Sequence, residues 1–316
     1  MGLFKKSVSK DLINLVRARD NGEEWAMEKL AELCGSEQVT IPELCRARVS
    51  IYEAAAKRGD KEARYWIGKS LQVLDPPASF KWLVDLARDG DARAMIMLGL
   101  GFGVVAYYGE DEEKELYWYL EAAKLGDAEG QYMAGREYYL KGMSSYQNPA
   151  QRQKYFEQAS EWYEKAVEQN HSKGVLGLVE LLMAQGGDCI SAVDKKYNYD
   201  FANPLYKEAQ EEAKTKRAEA CAYAERLLFE KILDVSFSYE DGAKALDLLG
   251  DLYRGNLFNA AKPEYELAVE HYYMASLFDE ENELISEKKM NDLIQRENLV
   301  ISPAQFEEWK RNALDE

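Results

Sequence analysis

Trp118-Tyr-Leu-Glu-Ala-Ala-Lys-Leu-Gly-Asp127, continuing as Ala128-Glu-Gly-Gln-Tyr-Met-Ala-Gly-Arg-Glu-Tyr138, is the stretch from which the fold can be read. Tyr119, Ala122 and Ala123 recur at three- and four-residue spacing, the mark of one buried helix face. Gly126 offers the left-handed conformation that ends a helix. Asp127 offers a side-chain oxygen to the free N–H groups that begin the next. One dipeptide therefore closes a helix and opens another.

The same arrangement recurs outward in both directions. Ile51-Tyr-Glu-Ala-Ala-Ala-Lys-Arg-Gly-Asp60 and Trp82-Leu-Val-Asp-Leu-Ala-Arg-Asp-Gly-Asp91 precede it. Trp162-Tyr-Glu-Lys-Ala-Val-Glu-Gln-Asn-His171 follows, with Asn170 in the place of glycine and His171 in the place of the capping aspartate. Asn is the residue after Gly that best tolerates the left-handed conformation, so the exchange keeps the mechanics. A second marker follows nine residues beyond each glycine, at Gly68, Gly99 and Gly135, and Gly250 stands nine beyond Asp241. Glycine in mid-helix costs about 1 kcal/mol against alanine, so its recurrence predicts close approach between two helices. In the fifth unit Val179 holds that place and the pattern degrades.

A helix hairpin with one apolar face cannot bury it alone, so neighbouring hairpins must stack. The expected fold is all-α: an α/α solenoid, a superhelix of roughly six stacked hairpins with a capping helix at each end. Variation in repeat length is assigned to loops at Gly103–Asp111, Gly142–Pro149 and above all Gly186–Pro204, read as an irregular insertion. Long aromatic loops are often functional, and a tolerated insertion packed over its own helices is the equal alternative. The expected divisions are residues 1–24 as an N-terminal capping helix, 25–280 as the repeat array with its insertion at 186–204, and 281–316 as C-terminal capping helices. Leu12, Ile13, Leu15 and Val16 beside Lys10, Arg17 and Arg19 make the first an amphipathic helix, with a membrane-surface helix as its rival. Ser302-Pro303 reads as a cap followed by proline in the first turn of the last.

Composition supports a packed core, with 47% hydrophobic and 12% aromatic residues. The formal net charge of −17 disfavours nucleic acid. Residues 240–316 carry 18 acidic and 8 basic side chains, more than half of that excess. Such an end would speed encounter with a basic partner and weaken with salt, although a solvated surface explains it equally. The first residues show no export signal, and no apolar run approaches the 18 or so residues of a spanning helix, so membrane insertion is not expected. Four scattered cysteines, Cys34, Cys45, Cys189 and Cys221, suit a reducing cytoplasm.

The sequence offers little that could do chemistry. His171 and His271 are too few and too far apart for a zinc-binding spacing, and His171 reads as a helix start. Gly99-Leu-Gly-Phe-Gly103 lacks the Lys-Ser/Thr of a phosphate loop and is taken to follow a helix. Trp66, Trp82, Trp118 and Trp162 read as core, as do Cys34 and Cys45. No catalytic residue, metal or cofactor is expected.

The joint pattern, Trp/Tyr-Tyr-x-x-Ala-Ala-x-x-Gly-Asp followed by Ala-x-Ala-x-x-x-Leu-Gly-x-x-Tyr, resembles the Sel-one-like repeat family, relatives of the tetratricopeptide repeats. The third and fourth units match best, Gly126 to Tyr138 and Asp247 to Tyr253 carry the Gly and Tyr of the first helix, and the likeness covers roughly residues 25–280. It implies a concave face that binds another protein: a non-enzymatic scaffold or adaptor or, among bacterial members, an immunity- or inhibitor-type protein that sequesters a basic effector or toxin. If the first helix of each pair lines that face, positions around the Leu-Gly marker point inward. These are Tyr65 and Lys69, then Tyr132, Arg136 and Tyr139, then Glu180, then Asp247, Asp251 and Arg254.

Overall fold

A computed structural model describes residues 10–35, 41–106, 112–200, 202–234, 238–254, 265–278 and 283–314. Every element among them is an α-helix. The chain divides into two compact units, Met1–Gly130 and Gln131–Glu316, each described by itself.

The first unit holds α1 (Lys10–Asp20), α2 (Glu24–Gly35), α3 (Ile41–Lys57), α4 (Lys61–Leu74), α5 (Pro76–Arg88), α6 (Ala92–Ala106), α7 (Glu112–Lys124) and the first turn of α8 (Ala128–Ser144). The second holds the rest of α8 with α9 (Pro149–Glu168), α10 (Ser172–Tyr197), α11 (Pro204–Asp234), α12 (Tyr239–Arg254), α13 (Tyr265–Phe278), α14 (Glu283–Glu297) and α15 (Pro303–Leu314). Along the chain these form six helix pairs, α2/α3 through α12/α13, with α1 before them and α14 and α15 after. This is the α/α solenoid architecture expected from the repeat.

The joints between pairs are built as the dipeptides require. Gly59, Gly90 and Gly126 have φ of 92°, 80° and 86°, and Asn170 has 57°. Asp60 accepts from the N–H of Ala63 at 2.7 Å, Asp91 from that of Ala94 at 3.1 Å, and Asp127 from that of Gly130 at 2.8 Å. His171 does the same work with a neutral ring nitrogen, Nδ1 accepting from Gly174 N–H at 3.1 Å. Inside one pair the joint is shorter still: Asp75 ends α4 and caps α5, accepting from Ala78 N–H at 3.2 Å.

The mid-helix glycines receive side chains of the partner helix. A Cβ on Gly135 would lie 2.7 Å from Tyr163 Cδ1, and one on Gly250 would lie 2.6 Å from the Tyr272 ring. Gly99 faces Tyr119 in the same way, and Gly68 faces Leu83. Where Val179 broke the nine-residue spacing, Gly177 supplies the contact instead: a Cβ there would lie 2.6 Å from Tyr163 Cε1. On α5, α7 and α9 the residue that fills the notch is the one after the tryptophan, whereas at Gly250 it is Tyr272, which follows His271. Tyr119, Tyr163 and Leu83 are at most 2% exposed. Trp66, Trp82, Trp118 and Trp162 are only half-buried, so the expected tryptophan core is corrected by one residue.

Two further expectations are corrected. Residues 186–197 are not an irregular insertion: α10 runs unbroken to Tyr197 and ends on Asn198 in the left-handed conformation. Gly186 and Gly187 looked like breakers, yet Gly186 is where α11 crosses α10, with Arg217 Cγ 3.1 Å from the position its Cβ would take. Likewise Gly99–Gly103 lies within α6 rather than after a helix. The expected loops at Gly103–Asp111 and the N-terminal residues 1–9 lie in part or whole outside the described residues, as does the side chain of Cys34.

One core feature bears on the membrane question. By length and composition α10 could cross a bilayer, with an 18-residue window of mean hydropathy 1.3, which corrects the expectation that no apolar run approaches that length. Its Val175, Leu176, Leu178, Val179 and Leu181 are core residues of the second unit, packed with Phe156, Leu228, Leu249 and Tyr272.

Candidate functional site

In the first unit α4 carries Tyr65 and Lys69 one turn apart. Their setting is a group of rings and cations. Tyr52 stacks on Trp66 with centroids 6.3 Å apart, and the guanidinium of Arg48 lies 4.6 Å from the Trp66 centroid. Arg48 is anchored by Asp20 of α1 at 2.9 Å, with side chains 9% and 1% exposed. Tyr52 donates to the same carboxylate at 3.3 Å, and burial followed by that charge pushes its hydroxyl up to about 12. Arg93 covers Tyr65 at 4.3 Å and pairs with Glu62 and Asp91. Lys69 lies 5.3 Å from the Trp66 centroid, and among the described residues it has no ion-pair partner. Partial burial, then the nearby Arg48 and Arg19, hold its ammonium below the usual lysine range. Tyr65 and Lys69 thus belong to one ring-and-cation patch.

In the second unit Tyr132, Arg136 and Tyr139 fall at i, i+4 and i+7 on α8, so they share one stripe. The two rings are held from behind: Tyr132 stacks on Tyr163 at 6.2 Å and Tyr139 on Phe156 at 6.0 Å. Arg136 between them is exposed, 3.4 Å from Glu137. Burial and then the charge of Glu180 raise the Tyr139 hydroxyl, which places α10's Glu180 beside this stripe. Glu180 in turn holds Lys244 of α12 at 2.8 Å. Burial alone would lower that ammonium, but the bond to Glu180 leaves it raised.

Asp247, Asp251 and Arg254 follow the same i, i+4, i+7 spacing on α12. Both carboxylates are already engaged. Lys289 of α14 reaches Asp247 at 2.5 Å and Asp251 at 2.9 Å, Ser286 donates to Asp247 at 2.9 Å, and Tyr272 donates to Asp251 at 2.7 Å. The pair therefore fastens α12, α13 and α14 together, and replacing it with lysine would break this network before any partner could report on the charge. Arg254 lines a depression of about 890 Å³ with Lys288, Lys289, Asp292 and Arg296.

Sequence reasoning could not have found Lys244 or Lys289, which meet their carboxylates across 64 and 38 to 42 residues with no spacing signal. Nor could it find His271, buried against Tyr253 and Phe229 with Nδ1 2.7 Å from the Leu267 carbonyl. Among the described residues no group of His, Cys, Asp and Glu is placed to hold a metal ion.

No family profile matches the sequence, and no curated protein matches it. Solved structures similar to it include two repeat proteins. One is that of c5321, a protective antigen present in uropathogenic Escherichia coli strains displaying an SLR fold, at 17% identity over 95% of this chain, with a TM-score of 0.42. This chain spans 63% of that one. The other is a Sel1 repeat protein from Oxalobacter formigenes, at 18% identity over 80% of this chain and 87% of that chain, with a TM-score of 0.47. Both carry the class of repeat that the sequence motif resembles.

Proposed function

We propose that this chain is a protein-interaction scaffold that binds a partner through the first helices of its repeats and does no chemistry of its own. The observation that carries the reading is the α8 stripe. Tyr132 and Tyr139 are fixed by the rings behind them while Arg136 stands exposed between them. Tyrosine and arginine dominate binding hot spots, and rings already held in place lose little freedom when a partner arrives. Tyr65 and Lys69 offer a similar combination on α4. The free thiols Cys45, Cys189 and Cys221 suit action in a reducing compartment.

The test is to cross-link the tagged full-length chain in the cells that make it, identify the stoichiometric partner, and titrate that partner against Arg136→Ala and Tyr139→Ala. Affinity should fall about tenfold or more for each. Absence of a stoichiometric partner, or one indifferent to both substitutions, would overturn the reading.

A second reading, sequestration of a basic effector, draws on the acidic surplus of residues 240–316. With Asp247 and Asp251 tied to Lys289, the better candidates are Glu270 and Glu308. Burial and then the Glu308 charge raise Glu270, as expected of a half-buried carboxyl near a second acid. Glu308→Lys, on an exposed face of α15, should weaken a basic partner at low salt and have less effect at high salt. An unchanged affinity would remove this reading.

A further inference from the structure

A groove of about 630 Å³ opens in the second unit between the start of α9, the C-terminal half of α10 and the middle of α11. It shares no residue with the nine positions considered above. Its lining explains its existence: Gly186, Ala192 and Ala220 put almost no side chain into the space. The helices nonetheless stay close, because Gly186 admits Arg217 to the α10 backbone.

The residues that line it carry more base than acid. Arg152, Lys195 and Lys216 line the groove with Asp188 as the only acid, in a protein of formal net charge −17. Arg152 is held by Asp188 at 2.5 Å and Lys216 by Glu212 at 2.8 Å. Lys195, exposed in the last turn of α10, has no ion-pair partner among the described residues. Beside these cations is an apolar rim. Tyr146 is 65% exposed and Met143 41%, and Arg152 Nη2 lies 3.7 Å from Met143 Sδ. Cations standing next to an exposed ring and thioether select for an occupant that brings both carboxylates and an apolar side chain.

We propose that this groove binds an acidic peptide segment, with carboxylates on Lys195 and Lys216 and one large apolar side chain against Tyr146 and Met143. The volume lies within the usual range of ligand pockets, about 300 to 1,000 Å³. Recognition is electrostatic at Lys195 and Lys216 and apolar at Tyr146 and Met143, so binding weakens with salt without vanishing. The inference stands apart from the α8 stripe, and each can fail without the other.

Cys189 lines the same groove while Cys45 and Cys221 are buried, so its thiol reports occupancy. Random twelve-residue peptides displayed on phage are selected on the full-length chain, and the enriched sequence is synthesised with both ends capped. The expected result is an acidic peptide containing an aromatic or large aliphatic residue. It should slow maleimide labelling of Cys189, followed by mass spectrometry, and bind about tenfold or more weakly to K195E/K216E. Circular dichroism checks that this variant folds, and K195Q/K216Q replaces it if it does not. Enriched peptides that are neutral or basic would overturn the proposal. So would acidic peptides that leave Cys189 labelling unchanged or ignore both charge variants. Displacement of the peptide by millimolar inorganic phosphate at constant ionic strength would assign the groove to small anions and overturn the peptide as occupant.

Discussion

The Tyr163 ring is seated directly on the backbone of Gly135, so close that a single methyl group there would lie 2.7 Å from Cδ1. Gly135→Ala should gain about 1 kcal/mol of helix propensity and lose more to overpacking, because the ring is 1% exposed and is also packed against Gly177. The expected net cost is about 1 to 2 kcal/mol, read from chemical denaturation. Gly101→Ala, on the same kind of helix with nothing near its Cβ position, should instead be neutral or stabilising. Equal effects at the two sites would mean that the notch is not what requires glycine.

Asp20 and Arg48 make the most buried ion pair among the described residues of the first unit, with Tyr52 as a third member. Removing one partner leaves an uncompensated charge inside. Asp20→Ala should cost about 3 kcal/mol or more, and it should free the Tyr52 hydroxyl to titrate nearer its ordinary value. An ultraviolet titration of tyrosinate checks the second effect independently of stability.

His171 caps α10 with a ring nitrogen where the other joints use aspartate. His171→Asp should preserve or improve stability, since a carboxylate at a helix start also favours the helix dipole. His171→Ala should cost about 1 kcal/mol, measured as a shift in the thermal midpoint. If alanine were tolerated as well as aspartate, the Gly174 N–H bond would contribute nothing.

Burial holds the His271 pKa below its ordinary 6.5, opposed by its bond to the Leu267 carbonyl and by the charge of Glu225 on α11. The folded state therefore prefers the neutral ring, while the unfolded chain takes up its proton near 6.5. Stability from this residue is complete above that value and is lost as pH falls through 6.5 toward the folded pKa. The thermal midpoint followed from pH 8 to pH 5 should drop more steeply in the parent chain than in His271→Gln. Parallel curves would show that other groups control the acid limb.

The joints were legible because they are local: Gly126, Asp127 and Asn170 act on their own backbone within three or four residues. The notch glycines were also legible as a recurrence, but the side chain that fills each notch was not. Tyrosine and tryptophan sit side by side in Trp118-Tyr119 and Trp162-Tyr163, and only the rotation of the packed helix decides which one goes inside. Gly186-Gly187 misled for the opposite reason. Local propensity reads two glycines as a break, whereas tertiary contact with α11 uses one of them as a crossing point. The candidate site was half legible: helical spacing grouped the stripes on α8 and α12 correctly. It could not show that Lys289, nearly forty residues on, had already occupied Asp251.

Asp75 is at once the last word of one helix and the first of the next, with no residue to spare between α4 and α5. Such a hinge has no play. An epitope tag or fluorescent reporter spliced there would have to unwind a turn on each side. A single dual-purpose aspartate thus tells the experimentalist where this chain must be left whole.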